Sequence, residues 1–483
     1  MTQVKAQRVR CPVHNLIEFR GSDQLERTLW RVIQTQPFQR LRRIRQLGFS
    51  EFVFPGATHT RFAHSIGVFH IARALMQVIE RHVRPAGHAF NEHQARVALA
   101  AALLHDVGHG MFSHAFEPIG KALNLPLAQH ERVSGMLIRD SDITVELRRE
   151  FGSGFAEDVA TLVDRDGPSN LYDAVVTSQF DADRLDYMQR DRLMTGVQSS
   201  GVDPTWLLAN LEVHAVPTGA DDDSTGEVET LILGPKAART AESYVLALFH
   251  LYPNVYLHKT TRGAEMVFKG LIRRLLRLGN EGHTAKSGLP GHHPLVRFVK
   301  ETDRLANVLA MDDTVFWGAL PMMAEAEDDQ IRRLALSLRE RRLPRCIDIR
   351  LRVEAALARK DGETRQEHQA RIDLACKHIE SALLARTAET PDAPDAPERI
   401  FVDSYRRQPY KRFQDSKTPL NRILISSGPG QRPQDMAELS PLIGAAEPFH
   451  ICRAYVFRDD TEAATVVENE IRTEIEGNSH VQS

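Results

Sequence analysis

Residues 97–117 read "VALAAALLHDVGHGMFSHAFE". Small and branched apolar residues run without a break, as in a helix buried on every side, and then stop at His105, Asp106, His109, His114 and Glu117. Titratable groups at the end of a buried helix cost free energy unless other groups satisfy them. Whatever this chain folds into must therefore bring polar partners, or a cation, to one helix end. Gly108 and Gly110 let the backbone turn away there.

The rest of the chain reads mostly as helix. Apolar residues recur at helical spacing over 23–46, with a break near Pro37, and over 61–82, 93–106, 155–166 and 170–194. "FVFPGATH" is expected as a short strand or turn. At 211–234 the pattern changes: "LEVHAV" and "ETLILG" are strand-like and flank the acidic "PTGADDDSTGE", which predicts a hairpin with a solvated tip. Helical spacing resumes at 236–279, 297–311, 324–342 and 362–386. The Pro/Ala/Asp-rich "TAETPDAPDAPE" (387–398) is a linker or extended excursion. "RIFVDSY", "NRILISS" and "FHICRAYVF" then alternate like strands. The expected fold is mainly α: a helical domain over 1–345 with a β-hairpin insertion, then a smaller α+β lobe over 346–483.

Composition narrows the class. With 483 residues, 42% hydrophobic and 26% charged, the chain can bury a large core. A net charge of −3 carries no global basic field for bulk nucleic-acid binding. Cys11, Cys346, Cys376 and Cys452 stand far apart, like reduced thiols rather than a disulfide frame or zinc knuckle. No apolar signal core opens the sequence, and no run of about eighteen apolar residues suggests a membrane span. A soluble, cytoplasmic protein is expected.

His105 and Asp106 are adjacent, and neighbours about 100° apart can both reach one ion off a helix end. Two ligands are too few. His64 in "TRFAHSIGVFH" and Asp183 in "QFDADRLDYMQRD" are the candidates to complete the set, the second string also holding Asp181, Asp186 and Asp191. Imidazoles mixed with carboxylates suit Mn, Fe, Zn, Ni or Co and tolerate Mg. A lone histidine such as His70 or His82 is more often an ordinary core or surface residue.

The strings "FQRLRRIRQLGFSEFVFPGATHTRFAHSIGV", "LLHDVGHGMFSHAFE", "QHE", "DADRLDYMQRD" and "VYLHK" resemble the HD-domain metal-dependent phosphohydrolases. More narrowly they are similar to the deoxynucleoside triphosphate (dNTP) triphosphohydrolases, in the branch that includes the vertebrate sterile-alpha-motif-and-HD-domain dNTPases. Weaker similarity continues through "RIFVDSY" and "FHICRAYVF"; no sterile alpha motif is read before the catalytic part. The resemblance implies an HD-domain helical catalytic core and a C-terminal regulatory or oligomerisation lobe. It implies one divalent metal per site on His64, His105, Asp106 and Asp183, with further Mg arriving with the nucleotide. Attack at the α-phosphorus would release a deoxynucleoside and intact tripolyphosphate. His114, Glu117 and His130 would handle the leaving-group proton, with Glu117 standing where the family usually has Asp. Arg61, His109, Arg184 and Tyr187 would face the phosphates, Arg184 replacing the lysine of close relatives. Gln46 and Asp191 would hold the 3′-hydroxyl, and Leu47 and Tyr256 would pack on the sugar, Tyr256 excluding a 2′-hydroxyl.

The basic run "RLRRIR" (40–45) reads equally well as a solvated face. By resemblance Arg42, Lys236, His258, Lys259, Arg341 and Arg345 would hold an activating nucleotide between subunits of a homo-oligomer (dimer, tetramer or hexamer). Gln34 and Arg10 depart from the residues that relatives place at the activator's guanine, so guanine-nucleotide activation is expected to be altered or absent. Two other readings remain: another HD-superfamily nucleotide phosphatase or phosphodiesterase, and a nucleotide-sensing or nucleic-acid-binding regulator with a vestigial site. For the last, a patch at a subunit interface could hold single strands despite the net charge.

Overall fold

The structure, a computed structural model, describes residues 5–85, 87, 89–198, 201–217, 226–387, 398–408, 410, 418–428 and 431–480. The expected linker lies outside these except at its two end residues, as does the hairpin tip over 218–225.

The apolar run becomes the helix Glu92–Leu104, opened by Asn91, whose side chain accepts the Gln94 N–H. Ala98 and the five residues Ala100–Leu104 are fully buried. Small side chains on every face allow neighbouring helices to close around it. The helix Arg61–Val83 packs on one side and Ser153–Asp164 on another, while Ala182–Thr195 packs against Arg61–Val83. Arg61–Val83 is long and apolar enough to cross a bilayer, with a mean hydropathy of 1.3, yet 72% of that stretch is buried inside the protein. It is a core helix, and it carries His64.

Compactness divides the chain into two units. The first comprises 1–256, 301–316 and 409–447. Besides the helices above it holds an N-terminal hairpin, Gln7–Cys11 with Asn15–Phe19, which has no strong alternation and was not expected. The expected hairpin is present as Leu211–Pro217 with Glu227–Leu233. Leu424–Ile425 adds to it in parallel and Gln434–Asp435 pairs beyond, so "NRILISS" supplies only two strand residues. The second unit comprises 257–300, 317–408 and 448–483. Its antiparallel sheet runs Arg345–Asp348, Phe449–Val456, Ile400–Arg407. One core joins that sheet to the helices Ile349–Ala356, Arg365–Thr387 and Thr461–His480. A division by role at 345/346 and a division by compactness thus follow different lines.

Several helical stretches are more broken than periodicity suggests. Residues 23–46 form Gln24–Ile33, Gln36–Arg40 and a 3₁₀ turn Leu41–Arg43, the break falling at Gln34–Thr35, with Pro37 in the first turn of the second helix. "FVFPGATH" is a turn, not a strand; only the Arg45–Thr60 bridge pairs nearby. In 170–194 the helix begins only at Ala182, because Asp181 caps it through the Arg184 N–H. In 297–311 two short helices, Pro294–Lys300 and Leu305–Leu309, replace one.

One half-buried histidine gives this unit a pH dependence. His70, on the Arg61–Val83 helix, lies 5.1 Å from the His14 ring. Burial first, then the positive neighbours His14 and Arg73, push it down to about 4. The folded state therefore keeps His70 neutral where the unfolded chain takes up a proton. Stability falls as pH drops from the ordinary histidine value near 6.5 toward 4. His70→Gln is expected to spare about 1–2 kcal/mol of that loss, after discounting for partial exposure. Urea unfolding at pH 7 and pH 4 measures it, and equal losses in both proteins would rule it out.

Candidate functional site

Three helices deliver the first cluster. His64 sits in the first turn of Arg61–Val83, His105 and Asp106 follow Glu92–Leu104, and Asp183 is in the first turn of Ala182–Thr195. His64 Nε2 lies 2.9 Å from Asp183 Oδ1 and 3.7 Å from Asp106 Oδ2. His105 Nε2 lies 3.4 Å from Asp106 Oδ1 and 3.7 Å from Asp183 Oδ1. Ligand atoms of His64, His105 and Asp183 fall within 4.8 Å of one another.

The hydrogen bonds behind these rings decide what the cluster suits. His105 Nδ1 donates to the Ala102 carbonyl at 2.9 Å, and His64 Nδ1 meets Asp186 Oδ2 at 2.7 Å. Both bonds place the ring proton on Nδ1, so both Nε2 lone pairs point into the cluster. Both Nε2 atoms are buried, and neither makes a hydrogen bond of ordinary geometry. Burial pushes His64 down, but the Asp183 and Asp186 carboxylates outweigh it and bring the imidazole up to about 10; the carboxylates that draw a proton onto Nε2 would draw a divalent cation in its place, leaving the Nε2 lone pair to the ion. Two inward lone pairs beside two carboxylates fit a divalent cation of the Mn, Fe, Zn, Ni, Co or Mg class.

Asp186 is the residue that sequence reasoning noted without a role. It is fully buried and accepts two bonds from Arg190, both 2.8 Å, besides meeting His14 Nε2 at 2.6 Å. It reaches His64 only because position 67 is glycine: a Cβ there would lie 1.9 Å from Asp186 Oδ1. The signal was present as an Asp–Arg pair four apart on a helix and a glycine one turn after His64.

The second cluster follows immediately. The helix His130–Arg139 presses on the loop at Gly108, where a Cβ would meet Ser134 N at 2.3 Å and His130 O at 2.4 Å. Ser134 Oγ accepts the Gly108 N–H and donates to the His105 carbonyl. His130 is thereby stacked on His109, rings 3.7 Å apart and 14° from parallel. Glu117 Oε1 lies 2.5 Å from His130 Nδ1 and 3.5 Å from His114 Nδ1, so its longer side chain does reach both. Burial pushes the Glu117 carboxyl up, and the hydrogen bonds to His114 and His130 reverse this and hold it well below the usual carboxylate range. His114 is largely exposed and His109 is buried. His105, Glu117, His130, Asp183 and Arg184 share a cleft of about 690 Å³.

The sugar set is brought together through a residue not anticipated, His59. The Gln46 N–H donates to the His59 carbonyl, His59 Nε2 meets Asp191 Oδ1 at 2.8 Å, and the Tyr256 hydroxyl donates to Asp191 Oδ2 at 2.8 Å. Tyr187 meets Tyr256 edge-on at 6.3 Å, and Leu47, next to Gln46, is half-buried. Arg61 is placed differently from an open phosphate contact. Its guanidinium is buried against Asp106 and donates to Ser113 Oγ. Arg184 pairs with Asp181 at 2.8 Å.

The basic set is divided between the units. In the first, Arg42 stacks 3.5 Å over Phe62 and Lys236 is exposed. In the second, His258 caps the helix Lys259–Asn280, Lys259 and Arg345 are exposed, and Arg341 lines a cleft of about 730 Å³ with Arg333, Arg342 and Arg458.

Residues 61–188 match the family model of the HD domain. The chain carries an HD domain. All four candidate metal ligands and His109, His114, Glu117 and His130 fall inside it, whereas Gln46, Leu47, Asp191 and Tyr256 fall outside. The chain is 32% identical over 272 residues to the uncharacterized protein YwfO of Bacillus subtilis, covering 56% of each. It is also 32% identical over 220 residues to the deoxynucleoside triphosphate triphosphohydrolase SAMHD1 of Gallus gallus, covering 39% of this chain and 34% of that one. The alignments span about half the length of the first of these relatives or less. Among solved structures, a phosphohydrolase from Bacteroides thetaiotaomicron superposes with a TM-score of 0.68 at 23% identity, covering 94% of this chain and all of the other. A hypothetical protein from Aquifex aeolicus does so at 0.63 and 21% identity, covering 96% and 100%. These two likenesses concern the fold, which is mainly α around the HD helices.

Proposed function

We propose that this HD-domain protein is a metal-dependent dNTP triphosphohydrolase, converting dNTP and water to deoxynucleoside and tripolyphosphate. The observation that carries the reading is the adjacency of two clusters along residues 105–117: His105 and Asp106, joined by His64 and Asp183 from other helices, then His114 and Glu117, joined by His130, with His105, Asp183, Glu117 and His130 lining one cleft. His64, His105, Asp106 and Asp183 would hold a divalent cation, which when bound would supply Lewis-acid activation of the α-phosphate and of the attacking water. The chain's own residues do the rest. His114, exposed toward solvent and backed by Glu117, gives a proton to the departing 5′-oxygen, an alkoxide too poor to leave unaided. Glu117 and His130 hold it in orientation, and His109 stacks behind them near Asp106. The His109–His114–Glu117–His130 group also has the donor types of a cation site. The Nδ1 atoms of His109, His114 and His130 lie 3.9, 3.5 and 2.5 Å from Glu117 Oε1, so one carboxylate serves three imidazoles, an arrangement that supports proton handling. Arg184 and Tyr187 meet the phosphates, with Arg61 acting mainly through Asp106. The Gln46–His59–Asp191–Tyr256 chain reads the deoxyribose: Asp191 takes the 3′-hydroxyl, and the Tyr256 ring leaves no room for a 2′-hydroxyl.

The similarity to a dNTP triphosphohydrolase of Gallus gallus supports the substrate class. We take the protein to act as a cytoplasmic homo-oligomer, with Arg42, Lys236, His258, Lys259, Arg341 and Arg345 as candidates for holding a regulatory nucleotide. Protein loaded with Mn or Mg and incubated with each dNTP, singly and mixed, should release tripolyphosphate, resolved by anion-exchange chromatography. Orthophosphate or pyrophosphate as the only product would instead favour another nucleotide phosphatase or phosphodiesterase. No metal-dependent turnover of any dNTP would sink the dNTP triphosphohydrolase reading.

A further inference from the structure

The loop between the two clusters does not hold its shape by itself. Phe112 and Ser113 are consecutive non-glycine residues with φ of 53° and 55°. Each costs on the order of 1 kcal/mol relative to ordinary backbone. These two residues set the direction in which His114 and Glu117 leave the His105–Asp106 helix end. Something outside the loop has to over-determine that conformation.

The group in place to do so is Asp313, at the start of the helix Asp313–Met323 and 3% exposed. Its Oδ1 accepts the Phe112 N–H at 2.7 Å. Its Oδ2 accepts the Arg45 N–H, also at 2.7 Å. One buried carboxylate thus ties the loop to the segment that carries Gln46 and Leu47. Neighbouring contacts converge on the same point. Ser113 Oγ donates to the Arg45 carbonyl and accepts from Arg61 Nε, whose guanidinium also holds Asp106. The Phe112 ring stacks on Phe49 at 4.1 Å and meets Phe316, one turn beyond Asp313, edge-on at 5.1 Å. Asp312, next in the chain, is spent on Arg43 and on capping its own helix, leaving these two N–H groups to Asp313.

We propose that Asp313 is a positioning residue, remote from substrate, that locks the left-handed turn at Phe112–Ser113 and so aims the His109–His114–Glu117 group. The inference rests on reading that group as the proton-handling apparatus. Asp313 touches no candidate ligand and no candidate substrate contact by side chain. Its effect passes through backbone N–H groups, whose loss frees the loop without removing any chemistry.

Asp313→Asn tests this. The amide keeps the shape but turns one acceptor oxygen into an N–H₂ that faces a backbone N–H. Hydrogen exchange over residues 107–117 should quicken about tenfold or more, while the buried part of Arg61–Val83 exchanges as in the parent. Metal bound per chain should be unchanged, and kcat should fall about tenfold or more. Gly48→Ala provides a second route should Asp313→Asn fail to fold. Gly48 has φ of +50°, and a Cβ there would press the Phe112 carbonyl at 3.3 Å. It should loosen the same segment without touching Asp313. Exchange over 107–117 within about twofold of the parent in the folded variants, or a rise spread evenly over the chain, would overturn the proposal. Exchange is read without substrate. A loosened loop in a protein that turns over no dNTP would therefore refute the proposed function and not the role of Asp313 in holding the loop.

Discussion

Asp106→Asn is expected to abolish retention of a divalent metal and to cut metal-dependent hydrolysis on the order of a thousandfold or more. The carboxylate is 3% exposed and sits where the charges of the site meet. Oδ1 lies 3.4 Å from His105 Nε2 and 3.2 Å from His109 Nε2, while Oδ2 faces His64 and pairs with Arg61. Burial alone would push its carboxyl up; Arg61, His105 and His109 reverse that and keep it well below the ordinary range. An amide keeps the volume but removes the charge. That weakens the cation site and leaves the buried Arg61 without a counter-charge, a cost of about 3–5 kcal/mol in comparable buried pairs. Metal analysis after dialysis, hydrolysis assays and a melting curve separate the two effects. A variant that kept full metal and lost less than about tenfold in rate would refute this role for Asp106.

The four candidate ligands stood out in the sequence because each stands at a position where a core helix has no reason to carry a polar group. His64 interrupts an apolar helix, His105–Asp106 ends one, and Asp183 follows a cap. Asp186 and His14 were harder to see. Their contact depends on Gly67 letting a carboxylate approach a helix backbone, which is a fact of packing and not of spacing. His59 was invisible for a similar reason: it lies in an irregular turn, and only the fold brings it to Asp191. Arg61 was legible as a cation but not as one already spent on Asp106. At the level of architecture, helical periodicity and the hairpin were readable. The return of 409–447 to the first unit was not, because Leu424–Ile425 is a two-residue strand whose partner lies almost two hundred positions earlier. Local pattern carries no information about so distant a pairing.

The same loop yields the second large effect. His114→Ala is expected to lower kcat for a dNTP by about 10²–10⁴, the range a lost general acid commands, with little change in KM. The dependence on the leaving group distinguishes this from general damage. A 5′-alkoxide needs a proton as the bond to phosphorus breaks, whereas a nitrophenolate leaves without one. With a nitrophenyl phosphodiester as substrate, the loss in His114→Ala should shrink to about tenfold or less. Glu117→Gln should show the same pattern more weakly, because Glu117 acts through His130 at 2.5 Å and His114 at 3.5 Å and not on substrate. Glu117→Asp should also lose rate: a side chain one methylene shorter falls away from two imidazoles that the glutamate spans. The carboxyl of Glu117 is held low by those imidazoles and stays charged through neutral pH. Any acid limb of the rate above the ordinary carboxylate range must then come from another group. Equal losses with alkoxide and nitrophenolate leaving groups would mean that His114 shapes the cleft and donates no proton.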